Sequence, residues 1–335
     1  EILLKNGSDP TVSIGGILPS IGGNVRIGGP DCFVCEACEY TNSFLSFFPK
    51  IALILNIEED HLDFFKDIHD IRNSFHRFAS LVPEDGAVII GNDIPEKETV
   101  ASGLSCPVIT FGKEDGADYF PADVRTDGEG LTHFSLLRKK EGGEAPGKDD
   151  GFVLKVPGFH NVLNACAAIA AADLLKVPRD VTKAALASYG GTDRRFEEKG
   201  MMNGVRIIDD YAHHPSEIRA TLAAARQKTS SKLWVIFQPH TYSRTKAFLP
   251  EFAEALSLAD AVILADIYAA REKDDLGISS ENIAELLRKK NIECYYIPSF
   301  EEIENFVKEN CAPGEMLITM GAGDVVNIAN DLTSG

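Results

Sequence analysis

The sequence predicts an α/β protein of two domains: a mixed sheet ending in an antiparallel hairpin, followed by a doubly wound parallel sheet. Three observations carry that expectation. The chain has 335 residues, too many for one ordinary domain. Short apolar runs alternate with helical patterns along most of it. The rhythm breaks at Gly190-Gly191 and restarts more regularly. A hydrophobic fraction of 44% with 25% charged residues supplies packed cores and excludes a disordered, collagenous or low-complexity chain.

In order along the chain, residues 1–7 read as the last turns of a helix stopped by Gly7. No start signal precedes them, so the chain is expected to be a fragment of a longer protein. Strands are expected at 11–15, 32–37 and 51–57, the last a continuous apolar run typical of burial on both faces. A helix at 68–81 and strands at 87–91 and 108–111 follow. Near Asp118 the pattern changes: 131–137 and 152–156 alternate around the charged, Gly-rich segment 138–150, an antiparallel hairpin with a long exposed tip. An Ala-rich helix at 161–175 and a short one at 181–188 lead to the break, giving domains 1–190 and 191–335. Beyond it, strands at 205–210, 233–238, 261–265, 293–297 and 316–320 alternate with helices at 215–228, 244–257, 281–290, 300–309 and 324–332. Pro215 and Ser280 mark two of the helix starts.

Composition also narrows function. No apolar run is long enough to span a membrane, and no export signal is visible. A net charge of −18 opposes a phosphate backbone and argues against nucleic acid; an anionic small substrate would need local Arg, His or metal to hold it. Seven scattered cysteines suit reduced thiols in a cytoplasm. Cys32, Cys35 and Cys38 have the spacing of an iron–sulfur run, but Asn42 stands where a fourth Cys belongs and no Pro follows until Pro49. Small thiols buried in a strand are the weightier reading.

The polar exceptions fall at the carboxyl ends of expected strands, where open α/β sheets bind ligands. One strand empties into Asn56-Ile57-Glu58-Glu59-Asp60-His61-Leu62-Asp63, and another ends with Glu36 and Glu39. Carboxylates and a His there could hold Mg²⁺; capping by Asp60 or Asp63 beside a solvated His61 weighs as heavily. Six of the eight histidines, His61, His76, His160, His213, His214 and His240, sit in dense polar segments. His213-His214-Pro215 follows Asp209-Asp210-Tyr211 and opens a helix. His240 and Arg244 do the same one strand later and suit a carboxylate or phosphate. Gly321-Ala322-Gly323-Asp324 lacks the third Gly of a dinucleotide finger and reads as a strand-to-helix turn that could lie near a ligand.

Taken in order, 56–63, 158–165, 192–197, 209–215, 238–245, 266–272 and 321–324 resemble the motifs of the Mur ligases, which build the peptide of bacterial cell-wall precursors. The resemblance is strongest to the branch that joins L-alanine to the lactyl carboxylate of UDP-N-acetylmuramate. It implies an incomplete central ATP-binding domain followed by a Rossmann-like C-terminal domain. It also implies a cytoplasmic enzyme that uses ATP and Mg²⁺ and passes through an acyl phosphate. By motif, Glu36 and His61 resemble metal ligands. Asn161, Asn164, Arg195 and Asp210 resemble ATP contacts, with Tyr211 and His213 near the nucleotide. His240 and Arg244 resemble groups that bind a substrate carboxylate, and His61, His213, His240 and Arg244 form the expected catalytic set. Cys38 replaces an acid of the usual motif, and His76 falls where many members carry a modified Lys. No G-x-x-x-x-G-K-[ST] phosphate loop occurs, so the 335-residue chain is expected to fold in large part yet not to ligate by itself. A murein tripeptide recycling ligase, a folylpolyglutamate synthase-like ligase, an NAD-dependent dehydrogenase and a non-catalytic binding module are the rival readings.

Overall fold

The computed structural model describes residues 1–140, 144–274 and 276–334. Two compact units divide the chain, Glu1–Gly190 and Gly191–Gly335.

In the first unit, α1 (Ile2–Lys5) ends in Gly7 at φ +78°, the left-handed stop its sequence calls for. A three-stranded sheet follows in the order β2-β1-β3, with β1 (Thr11–Leu18), β2 (Gly23–Arg26) and β3 (Phe33–Cys35). The main sheet runs β4 (Ile51–Ile54), β5 (Ala87–Gly91), β6 (Val108–Phe111), β7 (Tyr119–Thr126), β8 (Thr132–Arg138), β9 (Gly147–Leu154). Its first half is parallel, and β7, β8 and β9 are antiparallel. The helices are α2 (Ile68–Ala79), α3 (Lys97–Ala101), α4 (Phe159–Leu174) and α5 (Arg179–Ser188).

Several expectations fail here for identifiable reasons. The apolar run at 51–57 is not buried on both faces. β4 is an edge strand, only four residues long, and Leu53 and Leu55 remain exposed. Segment 32–37 is likewise no buried strand, since Phe33 and Val34 are exposed and Cys32 and Cys35 are only half-buried. Apolar composition alone does not say which faces will be covered. β7 has no strand signature in the sequence because it carries Pro121, a residue that central strands disfavour. Its parallel pairing with β6 is confined to Phe111 and Tyr119, so beyond that point the missing N–H faces no partner strand. The hairpin ladder continues to Arg138 opposite Gly147, deep into the expected tip; residues 141–143 of that tip lie outside the described residues.

The second unit has one sheet, ordered β10-β11-β15-β12-β13-β14, parallel except for its first strand. The strands are β10 (Glu197–Met202), β11 (Val205–Asp210), β12 (Leu233–Phe237), β13 (Ala261–Leu264), β14 (Glu293–Tyr296) and β15 (Met316–Met320). The helices are α6 (Pro215–Lys228), α7 (Tyr242–Ala247), α8 (Leu249–Leu256), α9 (Ser280–Lys289), α10 (Phe300–Asn310) and α11 (Val326–Thr333). Every residue of β12, β13 and β15 is buried, as parallel strands covered on both faces require. Trp234 on β12 is 2% exposed, its indole N–H donates to Glu315 Oε2 at 2.9 Å, and Lys232 Nζ lies 3.9 Å from its ring centre.

β10 was not expected because Glu197, Glu198 and Lys199 are poor strand formers; they suit a charged edge that discourages further pairing. The helix expected at 244–257 is two, broken at Phe248 with Pro250 in the first turn of α8. Ser280 does not cap α9: Ser279 does, while the buried Ser280 hydroxyl donates to the Ala265 carbonyl.

Candidate active site

Parallel neighbours end together, so the segments leaving β11, β15, β12 and β13 converge at one end of the second sheet. Asp209 and Asp210 close β11 and differ in task. The fully buried Asp209 carboxylate accepts from Arg194 Nε at 3.1 Å and from the Thr319 hydroxyl at 2.7 Å. Asp210, 5% exposed, accepts the backbone N–H groups of Ala212 and Phe196, both at 2.8 Å. Burial pushes both carboxyls above the usual range, Asp210 to about 6; the two N–H bonds and Arg195 pull the other way.

Arg194 is the hub of this end. It adopts φ +62°, donates from Nη2 to the Gly321 carbonyl at 2.7 Å, and accepts the Tyr211 N–H at its own carbonyl. Its guanidinium lies 4.9 Å from the Tyr211 ring centre and that of Arg195 lies 5.4 Å from it. A chain of rings continues outward: Tyr211 to His213 at 5.3 Å, His213 to His240 at 5.7 Å, His240 to Tyr268 at 5.7 Å. His213 Nδ1 lies 3.0 Å from the Tyr211 carbonyl and 3.3 Å from Glu217 Oε2. Both are acceptors, so Nδ1 carries hydrogen. Burial alone would raise the Glu217 carboxyl; His213, two backbone N–H groups and Arg195 hold it below the usual range. His214 and Glu217 close a reciprocal cap on α6. Arg244 Nη1 lies 3.2 Å from His240 Nδ1. Arginine can only donate, so Nδ1 accepts and the neutral ring carries its hydrogen on Nε2.

Arg195, Asp210, Tyr211, His213, His240 and Arg244 are therefore gathered at one sheet end. Sequence reasoning missed Arg194, Asp209 and Glu217 as participants. The doublet Asp209-Asp210 is a signal, because successive positions of a strand face opposite ways and so the two carboxyls cannot share one role.

The remaining expected residues lie in the first unit. Glu36 Oε2 accepts the Gly15 N–H at 2.8 Å, and a side chain at Gly15 would crowd that carboxylate. His61, at φ +52°, has Nε2 3.4 Å from Glu39 Oε1 and 3.9 Å from Asp60 Oδ2, with the Tyr40 ring 4.6 Å away. The His61 hydrogen bond is the main reason that Glu39 stays below the usual carboxylate range. Neither Asp60 nor Asp63 caps α2, whose cap is Asp67; Asp60 accepts the His61 N–H and Asp63 the Tyr40 hydroxyl. Among the described residues, no three His, Cys, Asp or Glu side chains are grouped as a ready metal cage, Cys32, Cys35 and Cys38 included. Mg²⁺ needs no such cage, since it keeps waters and takes one or two carboxylates with substrate phosphate oxygens. The donors around His61 fit that habit. On α4, which Gly158 opens at φ +96°, Asn161 donates to the Pro157 carbonyl at 2.6 Å and Asn164 to Asn161 Oδ1 at 3.4 Å. His76 bonds the Val100 carbonyl at 3.0 Å and so ties α2 to α3.

Both units match known models: residues 18–172 the Mur ligase middle domain, and residues 194–323 the Mur ligase, glutamate ligase domain. The chain belongs to the Mur ligase family and is, with it, an ATP-dependent ligase. It is 54% identical over 333 residues to the UDP-N-acetylmuramate–L-alanine ligase of Lachnospira eligens, covering 99% of this chain and 71% of that one. The enzyme of the same name from Agathobacter rectalis is 53% identical over 332 residues, with the same shares. Among solved structures, the UDP-N-acetylmuramate-alanine ligase of Thermotoga maritima superposes with a TM-score of 0.77 at 28% identity, covering 99% of this chain and 70% of that one.

Proposed function

We propose that this protein joins L-alanine to the lactyl carboxylate of UDP-N-acetylmuramate at the expense of ATP, in the cytoplasm, during cell-wall precursor synthesis. The observation that carries the reading is the identity of 54%, spread over 99% of the chain, to an enzyme named for that reaction. Seven free thiols suit a reducing compartment, and no described helix is long and apolar enough to cross a membrane.

In this reading the lactyl carboxylate takes the γ-phosphoryl group of ATP, leaving ADP and an acyl phosphate. The alanine amine then displaces phosphate, forming the amide and losing a proton. Such chemistry is mostly positioning and charge neutralisation. Arg244 and His240 supply a cation and an oriented Nε2–H for a substrate carboxylate. Arg195 and Tyr211 offer a charged and a flat surface to the nucleotide. Asp210 already accepts two backbone N–H bonds, so any ribose hydroxyl would use its remaining lone pairs. In the first unit, Glu36 and His61 would hold Mg²⁺, with Glu39 and Asp60 beside the imidazole. Mg²⁺ would neutralise phosphate charge there, and Asn161 and Asn164 supply amides at the start of α4.

The test uses the protein expressed from its complete gene. Phosphate release that requires both UDP-N-acetylmuramate and L-alanine, with alanylated product by mass, is expected. Turnover with a different amino acid or uridine nucleotide, and none with these, would overturn the reading.

A further inference from the structure

The turn Gly321-Ala322-Gly323 has no role in the chemistry above, yet its packing is tight. A Cβ on Gly323 would meet the Tyr268 ring at 2.8 Å and collide with the Gln238 side-chain oxygen. Gly323 has no left-handed backbone, so space rather than conformation demands glycine there. Gln238 is 5% exposed and spans this turn, donating to Asp324 at 2.8 Å and accepting the Val325 N–H at 3.2 Å. The turn is thus a shelf on which the Tyr268 ring lies.

Tyr268 belongs to the segment that leaves β13. Its N–H donates to the Pro239 carbonyl at 2.8 Å and its carbonyl accepts the Thr241 N–H at 2.9 Å, so the segment is zipped to the one bearing His240. Its ring stacks on the His240 imidazole, 21° from parallel. Four residues on, Glu272 accepts the Ser243 N–H at 2.9 Å with one oxygen and the Ser243 hydroxyl with the other. Ser243 immediately precedes Arg244, whose guanidinium meets His240 Nδ1. One segment therefore holds His240 by its ring and, through Ser243, the start of the helix that carries Arg244.

We propose that Tyr268 and Glu272 are positioning residues for the substrate-carboxylate site: seated on the Gly321–Gly323 turn, they fix the His240 imidazole plane and its Nε2–H form. The proposal rests on the ligase reading for its choice of ligand, the amino-acid carboxylate, but not for its geometry. Holding a short donor pair in place is worth as much as having it, because misplacement by an ångström can cost orders of magnitude in rate.

The experiment has two arms, both on the protein expressed from its complete gene. In the first, histidine side-chain ¹⁵N NMR without any ligand is expected to show His240 protonated at Nε2 with an acceptor Nδ1. Tyr268→Leu should move those resonances and Glu272→Ala should mix the tautomers, while Tyr268→Phe and Glu272→Gln keep the native spectrum. Unchanged His240 signals in Tyr268→Leu and Glu272→Ala would overturn the proposal whatever the enzyme does. The second arm is the ligation assay, where both disruptive variants should raise KM for the amino acid on the order of tenfold and leave KM for ATP within about twofold. An equal rise in both would overturn the choice of ligand. A native protein without ligation would instead sink the functional reading and leave the first arm to decide the positioning role. Gly323→Ala, which lifts the ring from below, should reproduce the Tyr268→Leu spectrum with the fold retained by circular dichroism.

Discussion

The two clusters differ in how much of their architecture the protein itself completes. In the second unit, Asp209, Arg194, Thr319 and Gly321 satisfy one another before any ligand arrives, and the ring chain from Tyr211 to Tyr268 is already laid down. In the first unit, His61 stands among carboxylates on a loop beside an edge strand, with donors that fit an ion but do not form a cage. Substitution in the Arg194–Asp209 group should therefore act through stability, and substitution around His61 through ligand requirement.

Arg194→Ala gives the sharpest test of that contrast. It strands the fully buried Asp209 carboxylate and should cost about 3–5 kcal/mol of stability, read as a lowered urea midpoint. A loss below about 1 kcal/mol would mean that Thr319 alone satisfies Asp209, and that the cluster is less self-supporting than drawn.

Arg244→Ala comes next. It should remove about 1.5–3 kcal/mol of substrate binding from ligation while nucleotide binding measured by calorimetry stays near normal. Parallel loss of nucleotide affinity would assign Arg244 to ATP instead.

On the other side of the comparison, His61→Ala should leave the urea midpoint nearly unchanged, since its pairs are part-exposed, yet demand much more Mg²⁺ for turnover. A Mg²⁺ titration coinciding with that of the native enzyme would reduce His61 to a partner of Glu39 and Tyr40.

A further effect, read through pH, concerns Asp210. Its folded-state value, near 6, lies above the ordinary carboxylate value of 3.8. Between those values the folded protein holds a proton that the unfolded chain has lost. Stability from this group is present in full below about 3.8 and is lost as pH rises through about 6. The native protein should thus lose ground relative to Asp210→Asn between pH 4 and pH 7, by urea unfolding at each pH. Parallel profiles would show that the two N–H bonds outweigh burial.

Sequence patterns revealed the doubly wound sheet well because its central strands, buried on both faces, are near-continuous apolar runs such as Leu233–Phe237 and Met316–Met320, the latter broken only by Thr319. They revealed the first unit less well. The apolar residues of β4 continue past the point where the sheet covers them, and β7 and β10 hide behind Pro121 and three charged residues. The candidate site was legible in its His and Arg positions because those residues punctuate strand ends. Its supports were not. Asp209 reads like Asp210 until the backbone shows which carboxylate turns inward, and Tyr268 is unremarkable until Gly323 lies beneath it.

Trp234 gives these comparisons a spectroscopic address. The chain has one tryptophan, buried in β12 beneath the Lys232 ammonium. Indole emission therefore reports the solvation of the second unit alone, while far-ultraviolet dichroism sums both. A denaturation followed by the two signals together separates the melting of residues 191–335 from that of residues 1–190 without cutting the chain. Any variant can then be assigned to the unit it weakens from the noncoincidence of two curves.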